Sequence, residues 1–276
     1  MPELPEVETI RRALRDGGRQ GPPLIGRRIQ AAHLLWERTL ATPSPAEFQP
    51  RISGQIIRDV GRRGKFLLLI LSSDVMLIHL RMSGDLLVGP QAAPPPAHLR
   101  LALDLDSGLR LAFNDPRKFG RVWLVKDPEE ILDGLGPEPL AEDLTPEEFY
   151  RRLHPHRRQL KPLLLDQTFL AGLGNIYADE ALHLAGLHPL SLASQLDEAH
   201  ATRLLTSIRQ VMEDGIQRQG ASIDWVYRGG DFQNYFHVYQ RTGEACNNCG
   251  TPIQRIVVGQ RGTHFCPTCQ PLTANY

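Results

Sequence analysis

Between Ile29 and Val125 the apolar residues come in short runs rich in leucine and β-branched side chains: "QIIRDVGRRGKFLLLIL", "VMLIHLRMSGDLLV", "LRLALDLDSGLRLAFND" and "RVWLVK". Gly, Asp and Ser interrupt them, so the pattern predicts strands joined by turns, packed as a sandwich or barrel. The prolines of "AAPPPA" at 92–97 predict a loop, because proline cannot donate to a central ladder. From about Pro139 to Gly220 the period changes. "TPEEFYRRL" opens on Thr145 as a cap followed by acidic residues, and "DEAHATRLLTSIRQVMEDGI" repeats its apolar positions at three and four. Ahead of the strands, Pro5 stiffens the start of a helix on which Val7, Ile10 and Leu14 form one stripe. "PEPLAEDL" is the expected linker between the two halves.

A chain of 276 residues suggests two domains, or one plus an appendage. Its longest apolar run, Phe66 to Leu71, is far short of the roughly 20 residues that span a bilayer. No charged-then-apolar leader opens the chain, and a cytoplasmic protein is expected. Net charge is zero, so any basic surface must be local. Arginine outnumbers lysine 27 to 4, which singles out Lys65, Lys118, Lys126 and Lys161. They are either survivors of an arginine-rich composition or positions whose chemistry needs a compact, titratable ammonium.

All four cysteines lie near the C-terminus, as Cys246-x-x-Cys249, sixteen residues, and Cys266-x-x-Cys269. That is zinc-ribbon spacing, in which two tight turns each give two thiolates to a tetrahedral ion. With all four positions filled by protein, such an ion folds the segment and does no chemistry. The intervening "GTPIQRIVVGQRGTHF" predicts a β-hairpin with Arg261 at its tip, as a solvated turn residue or as a phosphate contact.

Three further stretches carry candidate chemistry. In "AGLGNIYADEALHLAGLHP", Gly172 and Gly174 precede Asn175, the expected cap of a helix ending at Gly186. The corner is either a packing device or a phosphate cradle. "HLRMSG" places Met82 at a serine-glycine turn, and "FNDPRKFGR" places Arg117 and Phe119 on a cationic turn. A lone Met or Phe is usually core, but this combination also suits wedging into nucleic acid.

In order along the chain, "PELPEVET", "RRGKFLLL", "HLRMSG", "NDPRKFGR", "AGLGNIYADEALHLAGLHP" and the cysteine ribbon closely resemble the bacterial formamidopyrimidine-DNA glycosylases over almost the whole length. The resemblance implies an α+β fold: an N-terminal helix and β-sandwich domain (1–138), a helical helix-two-turn-helix domain (139–235) and a C-terminal β-hairpin zinc ribbon (236–276). It implies a bifunctional glycosylase and abasic-site lyase that removes oxidised purines from damaged double-stranded DNA. One structural zinc, no catalytic metal, no membrane and a monomeric state go with it.

The resemblance also assigns residues. Pro2, exposed by removal of Met1, is the nucleophile; an α-amino group is partly neutral near pH 7 and needs no separate base. Glu3 is the general acid at the sugar ring oxygen, expected to hold its proton with help from burial and Glu6. Lys65 serves proton transfer and a phosphate, and Arg261 a phosphate during the second elimination, where its strong basicity favours charge stabilisation over proton donation. Met82, Arg117 and Phe119 fill the gap left by the everted base, and His98 and Arg117 contact the backbone or opposite strand. Lys161 and Asn175, with His156 or Arg157, contact phosphates. Binding should therefore weaken steeply with salt.

Three stretches depart from the family pattern. "RDGGRQGPPLIGRR" is longer, with a surface loop expected; "GASIDWVYRGGDFQNYFHVYQR", where the family closes a loop over the flipped base, is shorter; and "QPLTANY" is a tail without a role. Two other readings compete: the endonuclease VIII branch, which removes oxidised pyrimidines, and a non-catalytic damage-binding module. "PELPEVET" with "DPRKFGR" favours the purine branch, and Pro2, Glu3 and Lys65 together favour an enzyme.

Overall fold

A computed structural model of the chain describes residues 2–18, 21–222 and 229–272. They divide into two compact units: Met1–Asp133 with Gln219–Gly230, and Gly134–Arg218 with Asp231–Tyr276.

The first unit begins with α1 (Leu4–Asp16), which opens on a capping box: the Glu6 carboxylate accepts the Glu3 amide at 2.8 Å. Leu4, Val7, Ile10 and Leu14 are fully buried, each contributing about 1.5–3 kcal/mol of apolar burial. The expected stripe is therefore the face that fixes the N-terminus in place. Strands β1 (Ile29–Leu34) and β2 (Leu40–Thr42) follow, then helix α2 (Pro45–Ile52). This helix is a correction to the all-strand reading. Its signal was present, since Ser44 and Glu47 form a capping box with Pro45 in the first turn.

Strands β3 (Ile57–Arg63), β4 (Phe66–Leu71), β5 (Val75–His79), β6 (Asp85–Pro90), β7 (Leu99–Leu105), β8 (Leu109–Asn114) and β9 (Arg121–Val125) complete two sheets, before a short helix α3 (Glu129–Leu132). One sheet runs β2-β9-β5-β4-β3 and the other β1-β7-β8-β6. Neighbours are antiparallel except β2 and β9. A single core of residues from α1, α2 and both sheets joins them, as a sandwich requires. The proline loop lies where expected, between β6 and β7.

The stretch 15–28, expected to form a surface loop, is more than that. Gly18 and Gly21 pair with each other, the Leu24 amide bonds the Leu14 carbonyl at 2.8 Å, and Leu24 is fully buried. Gly21 has φ +125° and backs onto Val88, whose carbonyl oxygen would stand 2.1 Å from any Cβ placed there. This stretch is thereby anchored to the sandwich core.

The second unit holds α4 (Pro146–Leu153), α5 (Leu160–Leu164), α6 (Asn175–Leu184) and α7 (Glu198–Gln217), then the hairpin β10 (Gln254–Val258) and β11 (Arg261–Phe265). Thr145 caps α4 as predicted, accepting the Glu148 amide. "PEPLAEDL" is not a free linker. Arg209 of α7 donates to the carbonyls of Pro139, Ala141 and Leu144, and Leu144 is buried. Five guanidinium donors on one planar group can hold such a strand of carbonyls, which no apolar pattern announces.

Candidate active site and nucleic-acid interface

In the first unit Pro2 and Glu3 are buried at the capped start of α1. Lys65, also buried, sits with Gly64 in the two-residue turn between β3 and β4, where Gly64 takes φ +55°. The link between helix and turn is Arg62, which donates to Glu8 of α1 at 3.1 Å and to the Gly64 carbonyl at 3.0 Å. Burial alone would raise the Glu8 carboxyl, but hydrogen bonds from Arg11 and Arg12 and the charges of Arg11 and Arg62 bring it down to about 2.

Glu6, expected to help Glu3 keep a proton, accepts two backbone amides. One oxygen takes the Glu3 amide and the other the Ala221 amide, both at 2.8 Å. Gly220 has φ +82°, and a Cβ there would stand 2.7 Å from Glu6. Ser222 then bonds Gly229 and Gly230. Within the stretch expected to form a shortened base-capping loop, residues 223–228 lie outside the described residues.

His79, which lies in the quoted "HLRMSG" and is not singled out by the sequence pattern, neighbours the Lys65 turn. It pairs with Phe66, next to Lys65, and meets the Phe66 ring edge-on at 4.8 Å. Its Nδ1 accepts the Arg81 amide at 3.0 Å. Burial, reinforced by the charges of Arg81 and Lys65, lowers its pKa from 6.5 to about 3. The folded protein therefore leaves this imidazole neutral while the unfolded chain protonates it below pH 6.5. Stability should fall as pH drops from 6.5 towards 3, by up to about 1.4 kcal/mol per pH unit for one proton. Urea midpoints between pH 7.5 and 5 should show a shallower pH slope for His79→Gln than for the wild type; equal slopes would exclude this residue as a source.

Phe119 and Arg117 are exposed on the turn between β8 and β9, with the guanidinium 5.2 Å from the ring centroid. Met82 is half-buried, and His98 is exposed with its backbone bonded to Asn114 and Asp115.

In the second unit the expected roles shift. Lys161 is not at the surface: its ammonium is fully buried, donating to Asp179 at 2.5 Å and to the Asn175 carbonyl at 2.8 Å. The other Asp179 oxygen accepts the His264 amide of β11 at 3.0 Å. Asn175 is not the cap but the first residue of α6, with Gly174 as cap, and its side-chain amide donates to the Gly262 carbonyl at 3.1 Å. Lys161, Asp179 and Asn175 thus tie the start of α6 to the hairpin. Lys161→Met should cost about 3–5 kcal/mol, since it strands a buried carboxylate. A loss below about 1 kcal/mol in urea unfolding would contradict this account.

Arg261 is exposed at the start of β11, paired with Val258, while Gly259 and Gln260, both at positive φ, form the actual tip. Arg157 is exposed, whereas His156 is half-buried against Phe169.

The four cysteine sulfurs lie within 4.8 Å of one another, with Cys246 to Cys269 at 3.8 Å and Cys249 to Cys266 at 3.4 Å. A tetrahedral zinc with Zn–S near 2.3 Å places its sulfurs about 3.8 Å apart, so the thiolate set fits that ion. Gln270, in the tail that had no role, is fully buried. It bonds the Cys266 amide through Oε1 and the Leu187 carbonyl through Nε2, fastening the second knuckle to the end of α6.

Three family models match the chain in order: the formamidopyrimidine-DNA glycosylase N-terminal domain over residues 1–122, its H2TH domain over 135–226, and a zinc finger found in FPG and IleRS over 243–272. The chain belongs to the formamidopyrimidine-DNA glycosylase family. It is 49% identical over 278 residues to the formamidopyrimidine-DNA glycosylase of Chloroflexus aurantiacus, covering 98% of each chain. The enzyme of Symbiobacterium thermophilum is 43% identical, with 99% of this chain and 90% of that one covered. Among solved structures, MutM in complex with DNA containing carbocyclic 8-oxo-G is 38% identical at TM-score 0.89, covering 98% and 100%. Lactococcus lactis FPG bound to Fapy-dG DNA is 37% identical at TM-score 0.89, with the same coverage. Among the described residues no helix is long and apolar enough to cross a membrane.

Proposed function

We propose that this chain is a bifunctional DNA glycosylase and abasic-site lyase that excises formamidopyrimidines and 8-oxoguanine from duplex DNA in base excision repair. The observation that carries the reading is the buried, capped Pro2–Glu3 start of α1, in a chain whose full-length relatives carry that enzyme's name. With Met1 removed, the Pro2 amine attacks the anomeric carbon, and Glu3 protonates the ring oxygen as the sugar opens. The base then departs with the glycosidic electron pair and leaves the Pro2 iminium, which acidifies the neighbouring sugar proton so that β- and then δ-elimination follow. Lys65 serves proton transfer and a backbone phosphate.

Met82, Arg117 and Phe119 occupy the space of the everted base, and His98 steadies the backbone. In the helical segment (139–235) and the zinc hairpin (236–276), Asn175, Arg157, His156 and Arg261 meet phosphates, with Lys161 acting from beneath. Cys246, Cys249, Cys266 and Cys269 hold one zinc, which supplies folding energy to the hairpin. The protein acts as a cytoplasmic monomer on the nucleoid.

Borohydride reduction during reaction with an 8-oxoguanine:cytosine duplex should yield a covalent protein–DNA adduct, mapped to Pro2 by mass spectrometry. Correctly folded, Met1-processed protein that gives no adduct would refute the reading.

A further inference from the structure

The turns that carry Met82 (residues 80–84) and Arg117 to Phe119 (115–120) are far apart in sequence, yet one buried carboxylate serves both. Asp115 is 1% exposed and Ser83 4% exposed. The Ser83 hydroxyl donates to Asp115 Oδ1, which also takes the Arg117 amide at 3.2 Å; the same amide reaches Ser83 Oγ at 3.2 Å. Asp115 Oδ2 takes the Gly120 amide at 2.7 Å and closes its own turn. A second link is apolar. Gly84 and Gly120, one from each turn, press on the buried Phe113 ring: a Cβ on Gly84 would stand 2.7 Å from Cε2, and one on Gly120 2.3 Å from Cζ. Lys118 holds φ +61° with its ammonium 4.2 Å from the centre of the Trp36 ring, which fixes the exposed end of the turn through a cation–π contact.

We propose that Asp115 is a positioning residue, which locks the Met82 turn and the Arg117–Phe119 turn at one spacing so that they enter the DNA stack as a single wedge. The inference rests on the glycosylase reading above and extends it to residues that touch no DNA. A wedge that replaces a stacked base must have its parts in register before it enters, because loose parts stack poorly and must be ordered at the moment of insertion. The Ser83 hydroxyl provides that register, since its bonds to Asp115 and the Arg117 amide are lost if the turns drift apart, while the Arg117 and Gly120 amides hold the carboxylate in place within its own turn.

The test compares single-turnover excision of 8-oxoguanine from a fully paired duplex and from the same duplex with the lesion in a mismatched bubble, where little stacking must be displaced. Ser83→Ala cuts only the two bonds between the turns, while Asp115→Asn also weakens the closure at Gly120. Both should slow the paired substrate by roughly tenfold or more, a loss of the size that small misplacements produce, and the bubble substrate by less than about twofold. Should Asp115→Asn fail to fold, Ser83→Ala decides alone. Equal losses on the two substrates, or no loss on the paired one, with the wild type active on both, would overturn the positioning role only. No excision by the wild type on either substrate would remove the glycosylase reading and the wedge with it.

Discussion

An N-terminal extension that turns the Pro2 amine into an amide should abolish both the borohydride adduct and strand cleavage, while Glu3→Gln should separate base excision from cleavage of an abasic site. Every covalent step begins at the Pro2 nitrogen, so an amide there, which is not nucleophilic, removes base excision and elimination together. Glu3 is needed where a closed sugar ring must open as the base departs. A pre-formed abasic sugar already equilibrates with its open aldehyde, which an amine can attack without that acid. Glu3→Gln should therefore lose about 10²–10⁴-fold in excision of 8-oxoguanine and far less in cleavage of an abasic site. Rates on the two substrates, measured side by side, check this. Parallel losses would deny Glu3 its role at the ring oxygen.

The local setting of these residues keeps fold and chemistry separable. The core packing of α1 comes from Leu4, Val7, Ile10 and Leu14, and its anchor to β3 comes from Glu8 and Arg62. None of these is altered in either variant. Circular dichroism and the urea midpoint should thus stay close to the wild type, and a loss of activity can be read as chemistry.

Much of this is legible in the sequence because it rests on short-range rules. The α1 stripe, the Thr145 cap, the proline loop and the strand runs follow from period and from single residues with fixed backbone preferences. What escapes rests on long-range polar bonds. Nothing in the apolar pattern marks Arg209 as the holder of residues 139–144, or Gln270 as the fastening of a zinc knuckle. A lysine near a turn is usually exposed, which points Lys161 outward on sequence grounds; its partner, Asp179, lies 18 residues on and meets it through the fold of α5 against α6. His79 is hidden beside Met82 for a related reason, since its environment comes from the neighbouring strand carrying Phe66 and from Lys65. Asp115 looks like an ordinary turn residue in the sequence, and only the meeting of its turn with that of Ser83 gives it another task.

Removing the zinc should have the largest effect on DNA affinity. Cys246 and Cys266 are buried with Val238 and Ile253 in a cluster of only a few residues, too small to hold a hairpin by apolar burial alone. In such small modules the metal's binding energy, about 10–16 kcal/mol in isolated zinc fingers, is the folding energy. Chelation, or Cys266→Ser, should therefore release β10 and β11 and take Arg261 with them. It should also strip Asn175 and Asp179 of their partners Gly262 and His264, loosening the start of α6. Affinity for lesion duplex should fall by roughly 100-fold or more at moderate salt, because several phosphates lose their cationic and amide partners at once. Arg261→Gln alone should lower the slope of log K against log salt by about 1. Chelation should lower that slope further, and restored zinc should return both slope and affinity. Unchanged binding after verified metal loss would show that the hairpin stands without its ion.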